Sequence, residues 1–251
     1  MNWLTEIPQP VIFAHRGACA HAPENTLASF RLAAEHGAPA IELDAKLTVD
    51  GQVVVFHDQT LKRTTGAEGR INQWKLADLR QLDAGSFYGL QFAGERIPTL
   101  DEVFEEVGDR LCVNVELTNY TSTGDDLPEK AAEVVRRHNM QRRVIFSSFA
   151  ASNLRRVKLA LPEAPVGLLA LDGLPGWLAR SAWGRRTSPE NLHPFLRDVT
   201  PDLMKREKSW GRRVHVWTVN EPNDMRRLAA MGVDGIFTDD PRLALQVLGV
   251  K

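Results

Sequence analysis

The stretch AIELDAKLTVDGQVVVFHD, residues 40–58, decides the fold. Its first eight residues and its VVVF run both read as strands, apolar and rich in β-branched types. No crossover helix fits between them. Asp50-Gly51 stands there instead, a two-residue hairpin signal, so the two runs are antiparallel neighbours. Outward from this hairpin, further strand-like runs follow: VIFAH (11–15), LCVNVEL (111–117), RVIFSSF (143–149), VGLLAL (166–171), NLHPF (191–195), RVHVWTV (213–219) and GIFTDD (235–240). Most are separated by segments with apolar residues three and four apart, such as Leu27, Phe30, Leu32 and Ala34, or Ala131, Val134 and Val135. Strand–helix repeats of this length predict a parallel sheet. Counting the hairpin as one barrel strand with an antiparallel arm leaves eight, which predicts an α/β fold of the (β/α)8 TIM-barrel type. Residues 58–98 hold many Gly and polar positions and no clear strand. They read as a small insertion after the hairpin on the C-terminal face. No linker or composition shift divides the 251 residues, so residues 1–251 read as a single domain.

Charge is balanced at 31 basic against 32 acidic residues, which gives no reason to expect a nucleic-acid partner or an anionic surface. The opening MNWLTEIPQP lacks the basic and apolar regions of a signal peptide. No apolar run approaches the ~20 residues of a membrane helix. A cytoplasmic protein without stable membrane insertion is expected. Cys19 and Cys112 have no metal-type spacing and read as free thiols, with Cys19, four residues past His15, a candidate to line a site.

The chemistry gathers at strand ends. Glu42 and Asp44 are two apart, so they share one face of their strand. A solvated strand end is the plainer reading of that pair. Glu116, out of pattern at the end of another apolar strand, argues for an all-oxygen site for a hard divalent cation, Mg2+ or Ca2+. If Asp50 and Gly51 are the two turn residues, Asp44 lies directly opposite His57, with Cβ atoms about 4.5–5.5 Å apart. That register makes His57 an acid–base group; a histidine bonded to Asp58 or to a carbonyl is its plainer reading. His15 adds a second imidazole, Arg16 a fork of donors suited to phosphate, and Gly17 a sharp turn. Asn25 and Thr26 read as caps of the first helix. Two histidines, a guanidinium and a carboxylate triad at one barrel mouth suit phosphate-ester cleavage.

The ordered set HRG…PENT, ELD followed by DG and VVFHD, NVE, VWTVN and GVDGIFTDDP, spanning residues 13–241, resembles the glycerophosphodiester phosphodiesterases. LDAGSFYGLQFAGERIPTL resembles the bacterial cytosolic members. The resemblance implies a metal-dependent hydrolase of small-molecule glycerophosphodiesters that yields sn-glycerol 3-phosphate and an alcohol. It implies His15 and His57 as the acid–base pair, Glu42, Asp44 and Glu116 as holders of Mg2+ or Ca2+, and Arg16 on the phosphate. It also implies a 2-hydroxyl nucleophile acting through a cyclic phosphate, and Trp217 as an apolar wall by the glycerol, although a plain core tryptophan is an equal reading.

One departure stands out. The family usually has Glu-x-Lys at the third carboxylate, where this chain has Glu116-Leu117-Thr118. Thr118 offers substrate one uncharged contact. Lys46 shares the Glu42/Asp44 face further out and is a candidate substitute in charge. GLPGWLARSAWGRR, residues 173–186, reads first as a helix packed between barrel strands and second as a lipid-touching lip, which would suit a lysophospholipase D on the same barrel. A non-catalytic binding barrel ranks last, since all five metal and histidine positions are filled. An enolase-type barrel would need single carboxylates on successive strands and a lysine base.

Overall fold

The computed structural model describes residues 6–250; Met1 to Thr5, half of the opening segment read above, lie outside them. Nine strands form one sheet: β1 Val11–Ala14, β2 Ala40–Leu47, β3 Val53–Val55, β4 Cys112–Leu117, β5 Val144–Ser148, β6 Val166–Ala170, β7 Asn191–Pro194, β8 Arg213–Val216 and β9 Gly235–Thr238. Eight are parallel and close into a ring through β1–β2, in the order β1, β2, β4, β5, β6, β7, β8, β9. β3 hangs on β2 outside the ring as the antiparallel arm. The TIM-barrel expectation holds, and its geometry explains the odd strand. β1 pairs β2 only at Ala40 and Ile41, so the upper edge of β2 is free for β3 from Ala45 onward.

The hairpin register differs from the two-residue reading. Ala45 faces Val55, Lys46 faces Val54 and Leu47 faces Val53, so the loop is Val49-Asp50-Gly51. Thr48 N donates to Gln52 O at 3.0 Å, and Gly51, at φ +76, is the left-handed third residue of the loop. Asp50 turns its carboxylate back to the Thr48 hydroxyl (2.6 Å) and to Leu76 N, which holds this longer turn. Asp44 therefore lies opposite Phe56, whose N–H donates to Asp44 O at 2.8 Å, and not opposite His57.

Strand alternation sorts the barrel into layers. Along β2, Ile41, Leu43 and Ala45 pack into the buried layer under the helices, while Glu42, Asp44 and Lys46 face inward. Val11, Phe13, Ala40, Cys112, Ile145 and Phe237 plug the lower barrel, below the level of Glu42 and Asp44 on β2. The insertion is built from the short helices Lys62–Thr65 and Leu76–Leu79 and two 3-10 turns. It closes its own core of Phe56, Leu61, Ile71, Leu79 and Ile97 against Val54 of the hairpin.

Candidate active site

β2 and β4 run in register with Asp44 beside Glu116, so Glu42, Asp44 and Glu116 each bring an oxygen to within 4.8 Å of the others. Burial first, then repulsion from Asp44 and Glu116, raises the Glu42 carboxyl well above its usual range. Burial and Asp44 push Glu116 up to about 8, although Tyr120 donates its hydroxyl to it at 2.7 Å. Burial also pushes Asp44 up, but Arg16, His57 and a hydrogen bond from Asn25 outweigh it and hold that carboxyl low. Three crowded carboxylates, two of them resisting ionisation, suit a hard divalent cation, and the donor set is all oxygen.

The chain leaving β1 holds this cluster from one side. Arg16 sits at φ 53, a left-handed conformation that non-glycine residues rarely adopt. It is pinned there: its N–H donates to Glu42 Oε2 at 3.0 Å, and its carbonyl accepts from Asn25 N and from Ser29 Oγ, each at 3.0 Å. Its guanidinium lies 3.3 Å from Asp44 and 3.0 Å from Glu24. Gly17, at φ 84, lies so close to Ser29 that a Cβ would come within 2.4 Å of the hydroxyl. Thr26 caps the helix Leu27–Glu35 as expected. Asn25 does not cap. At φ 57 it turns inward, donating to Asp44 Oδ2 at 2.9 Å and accepting from Asp44 N at 3.3 Å.

Both histidines are anchored alike. His15 Nδ1 lies 2.6 Å from Asp239 Oδ1, and His57 Nδ1 lies 2.7 Å from Asp58 Oδ1. A carboxylate accepts only, so each Nδ1 carries the hydrogen and each Nε2 is left for chemistry. Burial opposes ionisation of both acids, but the histidines, with Arg63 on Asp58, hold each carboxyl down at about 2. Arg63 also bridges Asp58 to Glu24, which links His57 to Arg16 through alternating charges. His57 reaches the site because β3 stops at Val55 and the chain leaves the ladder. The bond to Asp58, its plainer reading, coexists with a place on the cavity wall.

The cavity so formed measures about 140 Å3. His15, Arg16, Glu42, Asp44, His57 and Glu116 line one side; Phe149, Leu169, Trp217 and Phe237 line the other, with Asn114, Ser147 and His193 also bordering it. Trp217 is thus a cavity wall, its indole N–H donating to His193 O at 2.8 Å. Thr118 does not border this cavity. It is buried beside it, accepting from Lys46 Nζ at 2.9 Å and donating to Ala45 O at 2.9 Å, in a small neighbouring pocket shared with Gln59. Cys19 is a free thiol that donates to Asp239 at 3.2 Å, behind His15. Burial, then Asp239, pushes that thiol far up, so it is protonated. Tyr120, Asp239, Glu24 and Arg63 were missed as site residues. Asp239 lies within the TDDP motif, but its partner His15 is 224 residues away in the chain and only ring closure brings them together.

The family model described as "Glycerophosphoryl diester phosphodiesterase family" matches residues 15–243. The chain belongs to this family. Its chemistry is that of a phosphodiesterase, as the sequence resemblance implied. The glycerophosphodiester phosphodiesterase of Caldanaerobacter subterraneus subsp. tengcongensis is 42% identical over 241 residues, covering 95% of this chain and 97% of that one. That of Bacillus altitudinis is 31% identical over 240 residues, covering 94% and 97%. Among solved structures, an Oleispira antarctica phosphodiesterase in complex with the product sn-glycerol-3-phosphate superposes with TM-score 0.89 at 32% identity, covering 99% of this chain and 100% of that one. A glycerophosphodiester phosphodiesterase from Agrobacterium tumefaciens gives TM-score 0.81 at 29% identity, covering 94% and 98%.

Proposed function

We propose that this phosphodiesterase hydrolyses glycerophosphodiesters to sn-glycerol 3-phosphate and an alcohol, by two-histidine acid–base catalysis beside a divalent cation. One observation carries the reading: two imidazoles, each with Nδ1 tied to a carboxylate, flank the Glu42–Asp44–Glu116 cluster in a single cavity. The sn-glycerol-3-phosphate held by the Oleispira protein supports it.

Glu42, Asp44 and Glu116 would hold Mg2+ or Ca2+; such a cation, when bound, offsets charge on the phosphoryl oxygens. Arg16, with Asp44 and Glu24 fixing its plane, meets the phosphate as a permanent cation. One imidazole takes the proton of the glycerol 2-hydroxyl as that oxygen bonds to phosphorus, and the other protonates the departing alcohol. Water then opens the cyclic phosphate with the roles reversed. Trp217 and Phe149, edge to face with centroids 5.6 Å apart, wall the glycerol. Thr118 would meet substrate only where the leaving alcohol extends toward Lys46 and Gln59. The whole chain acts as one domain, with residues 58–98 as an insertion carrying Asp58 and Arg63.

The test is product identity. Glycerophosphocholine and glycerophosphoethanolamine, incubated with Mg2+, Ca2+ or Mn2+, should release sn-glycerol 3-phosphate. Release of the headgroup phosphate monoester instead, from cleavage on the glycerol side, would overturn the assignment.

A further inference from the structure

The imidazole of His15 has two working sides. Its Nε2 lies 4.0 Å from Glu42 Oε2, toward the carboxylate cluster. Its Nδ1 turns to Asp239 and Cys19, and these three side chains each bring a ligating atom to within 4.8 Å of the others. Asp239 Oδ1 is the meeting point, 2.6 Å from His15 Nδ1 and 3.2 Å from Cys19 Sγ. The donor set is one nitrogen, one sulfur and one oxygen. Among the described residues the other group of this kind is Glu42, Asp44 and Glu116, which is oxygen throughout.

The chain segments that carry these ligands are laced together. His15 N donates to Thr238 O at 2.9 Å and Ala20 N to Asp239 O at 3.0 Å, which ties the chain leaving β1 to the chain leaving β9. Cys19 sits in a tight turn, with His21 N and Ala22 N both donating to Ala18 O. Tyr88 braces that turn from the insertion, its hydroxyl donating to Ala20 O at 2.6 Å. Asn220 donates to Asp239 Oδ2 at 2.6 Å and accepts from Asp239 N at 2.9 Å, so Oδ1 is the oxygen presented to His15 and Cys19. An outer partner of this kind orients a ligating carboxylate. Zinc ligands at bond lengths of about 2.0–2.3 Å stand about 3.3–3.6 Å apart in a tetrahedron. The sulfur–oxygen spacing is already close to that, and the nitrogen–oxygen pair has to open by less than ~1 Å. The His15 and Asp239 side chains keep 20% and 34% exposure, which gives a cation a way in and water the fourth position.

We propose that His15, Cys19 and Asp239 form a second cation site, for Zn2+ or a similarly thiophilic divalent ion, and that filling it switches the enzyme off. The binding stands on the ligand geometry alone; the switching off rests on the acid–base role of His15 proposed above. Thiolate and imidazole select zinc, whereas Mg2+ and Ca2+ prefer the all-oxygen cluster, so the two sites sort their ions by ligand type. Protons balance as follows. The Cys19 thiol gives its proton to solvent, since the thiolate is the ligand. The His15 Nδ1 hydrogen also leaves, and a neutral imidazole ligated through Nδ1 carries its hydrogen on Nε2. The net change is one proton released per ion bound. His15 Nε2 then holds a hydrogen and has no lone pair with which to accept another. Because the two histidines exchange roles between cleavage and ring opening, one half of the cycle needs His15 as the base, and that half stops.

The experiment titrates Zn2+, and Co2+ as its coloured counterpart, into enzyme held in excess Mg2+. Wild type should bind one Zn2+ by calorimetry, and Co2+ should raise a thiolate-to-metal charge-transfer band in the near ultraviolet. Cys19→Ser, whose hydroxyl keeps a donor for Asp239, should lose the band and about a hundredfold or more of Zn2+ affinity. Its glycerophosphocholine turnover in Mg2+ alone should stay within twofold of wild type. Zn2+ should cut wild-type turnover tenfold or more at concentrations that spare the variant, and further Mg2+ should not restore it. Cys112→Ser, at the barrel floor, should match wild type in band and inhibition, which assigns the sulfur to Cys19 even if Cys19→Ser does not fold. Absence of the band in wild type, or its persistence in Cys19→Ser, overturns the site. Inhibition equal in wild type and Cys19→Ser, or relieved by Mg2+, puts the ion on the carboxylate cluster and overturns the proposal. Full turnover by enzyme that shows the band overturns the switch. A wild type inert in Mg2+ alone overturns the diesterase reading and the switch with it, while the band still decides the site.

Discussion

At the scale of single residues, the site works by committing one end of each side chain so that the other is free. His57 gives Nδ1 to Asp58, and His15 gives its own to Asp239. Replacing either histidine by alanine should lower kcat by about 10²–10⁴ while divalent-ion binding, read by calorimetry, persists. An active His57→Ala enzyme would remove it from the acid–base pair. Asn25 acts through Asp44, holding it with both amide atoms. Asn25→Ala should weaken divalent-ion affinity by about 10–100-fold, the usual effect of losing a partner that orients a ligand; unchanged calorimetric affinity would contradict that role. The reactive residue types were legible because a charged side chain ending an apolar strand is conspicuous. The partners were not. Asn25 sits just before a helix and looks like a cap, and only the fold brings Asp44, 19 residues on, against its amide.

At the scale of elements, the placement of all nine strands was legible, several of them because strands buried on both faces read as continuous apolar runs. The hairpin register was not. Asp-Gly serves a two-residue turn and also the end of a three-residue one, and the choice was made by Asp50 bonding to Thr48 and to Leu76 in the distant insertion. Thr118 shows the same limit: strand alternation puts it on the Glu116 face, but Lys46 bonds over it beside the cavity. The β1–helix joint offers a test at this scale. Gly17→Ala adds a Cβ clash with Ser29 to the cost of a left-handed conformation, about 1–2 kcal/mol. It should lower Tm by several degrees and cut activity, because His15 and Arg16 precede it directly; unaltered Tm and kcat would contradict the close packing.

At the scale of the whole molecule, closing the ring traps polar groups in the barrel interior. His193 and His215 face each other there, 3.2 Å apart and fully buried. Burial drives both imidazoles down, His193 well below its ordinary range and His215 to about 3 against an ordinary 6.5. The unfolded chain therefore binds more protons than the native one between those values, and this pair costs stability as pH falls from 6.5 toward 3. Glu42 and Glu116, raised in the metal-free protein, act with the opposite sign. The informative quantity is thus a difference. His215→Gln should lose stability less steeply than wild type between pH 6 and pH 4 by up to about 1.4 kcal/mol per pH unit, read by denaturant titration at fixed metal. Parallel pH profiles would contradict a neutral buried pair. The barrel itself was legible from repeat length and strand count, but its interior was not, since His193 and His215 looked like ordinary strand residues until the pairing of β7 with β8 set them side by side.

The most direct measurement is release of sn-glycerol 3-phosphate from glycerophosphocholine by protein treated with excess EDTA, before and after adding back Mg2+ or Ca2+. The crowding of Glu42, Asp44 and Glu116 within 4.8 Å predicts that turnover disappears under chelation and returns with the cation, and that Glu116→Gln blunts the return. Full turnover in the presence of excess EDTA would contradict the metal-dependent reading of the site.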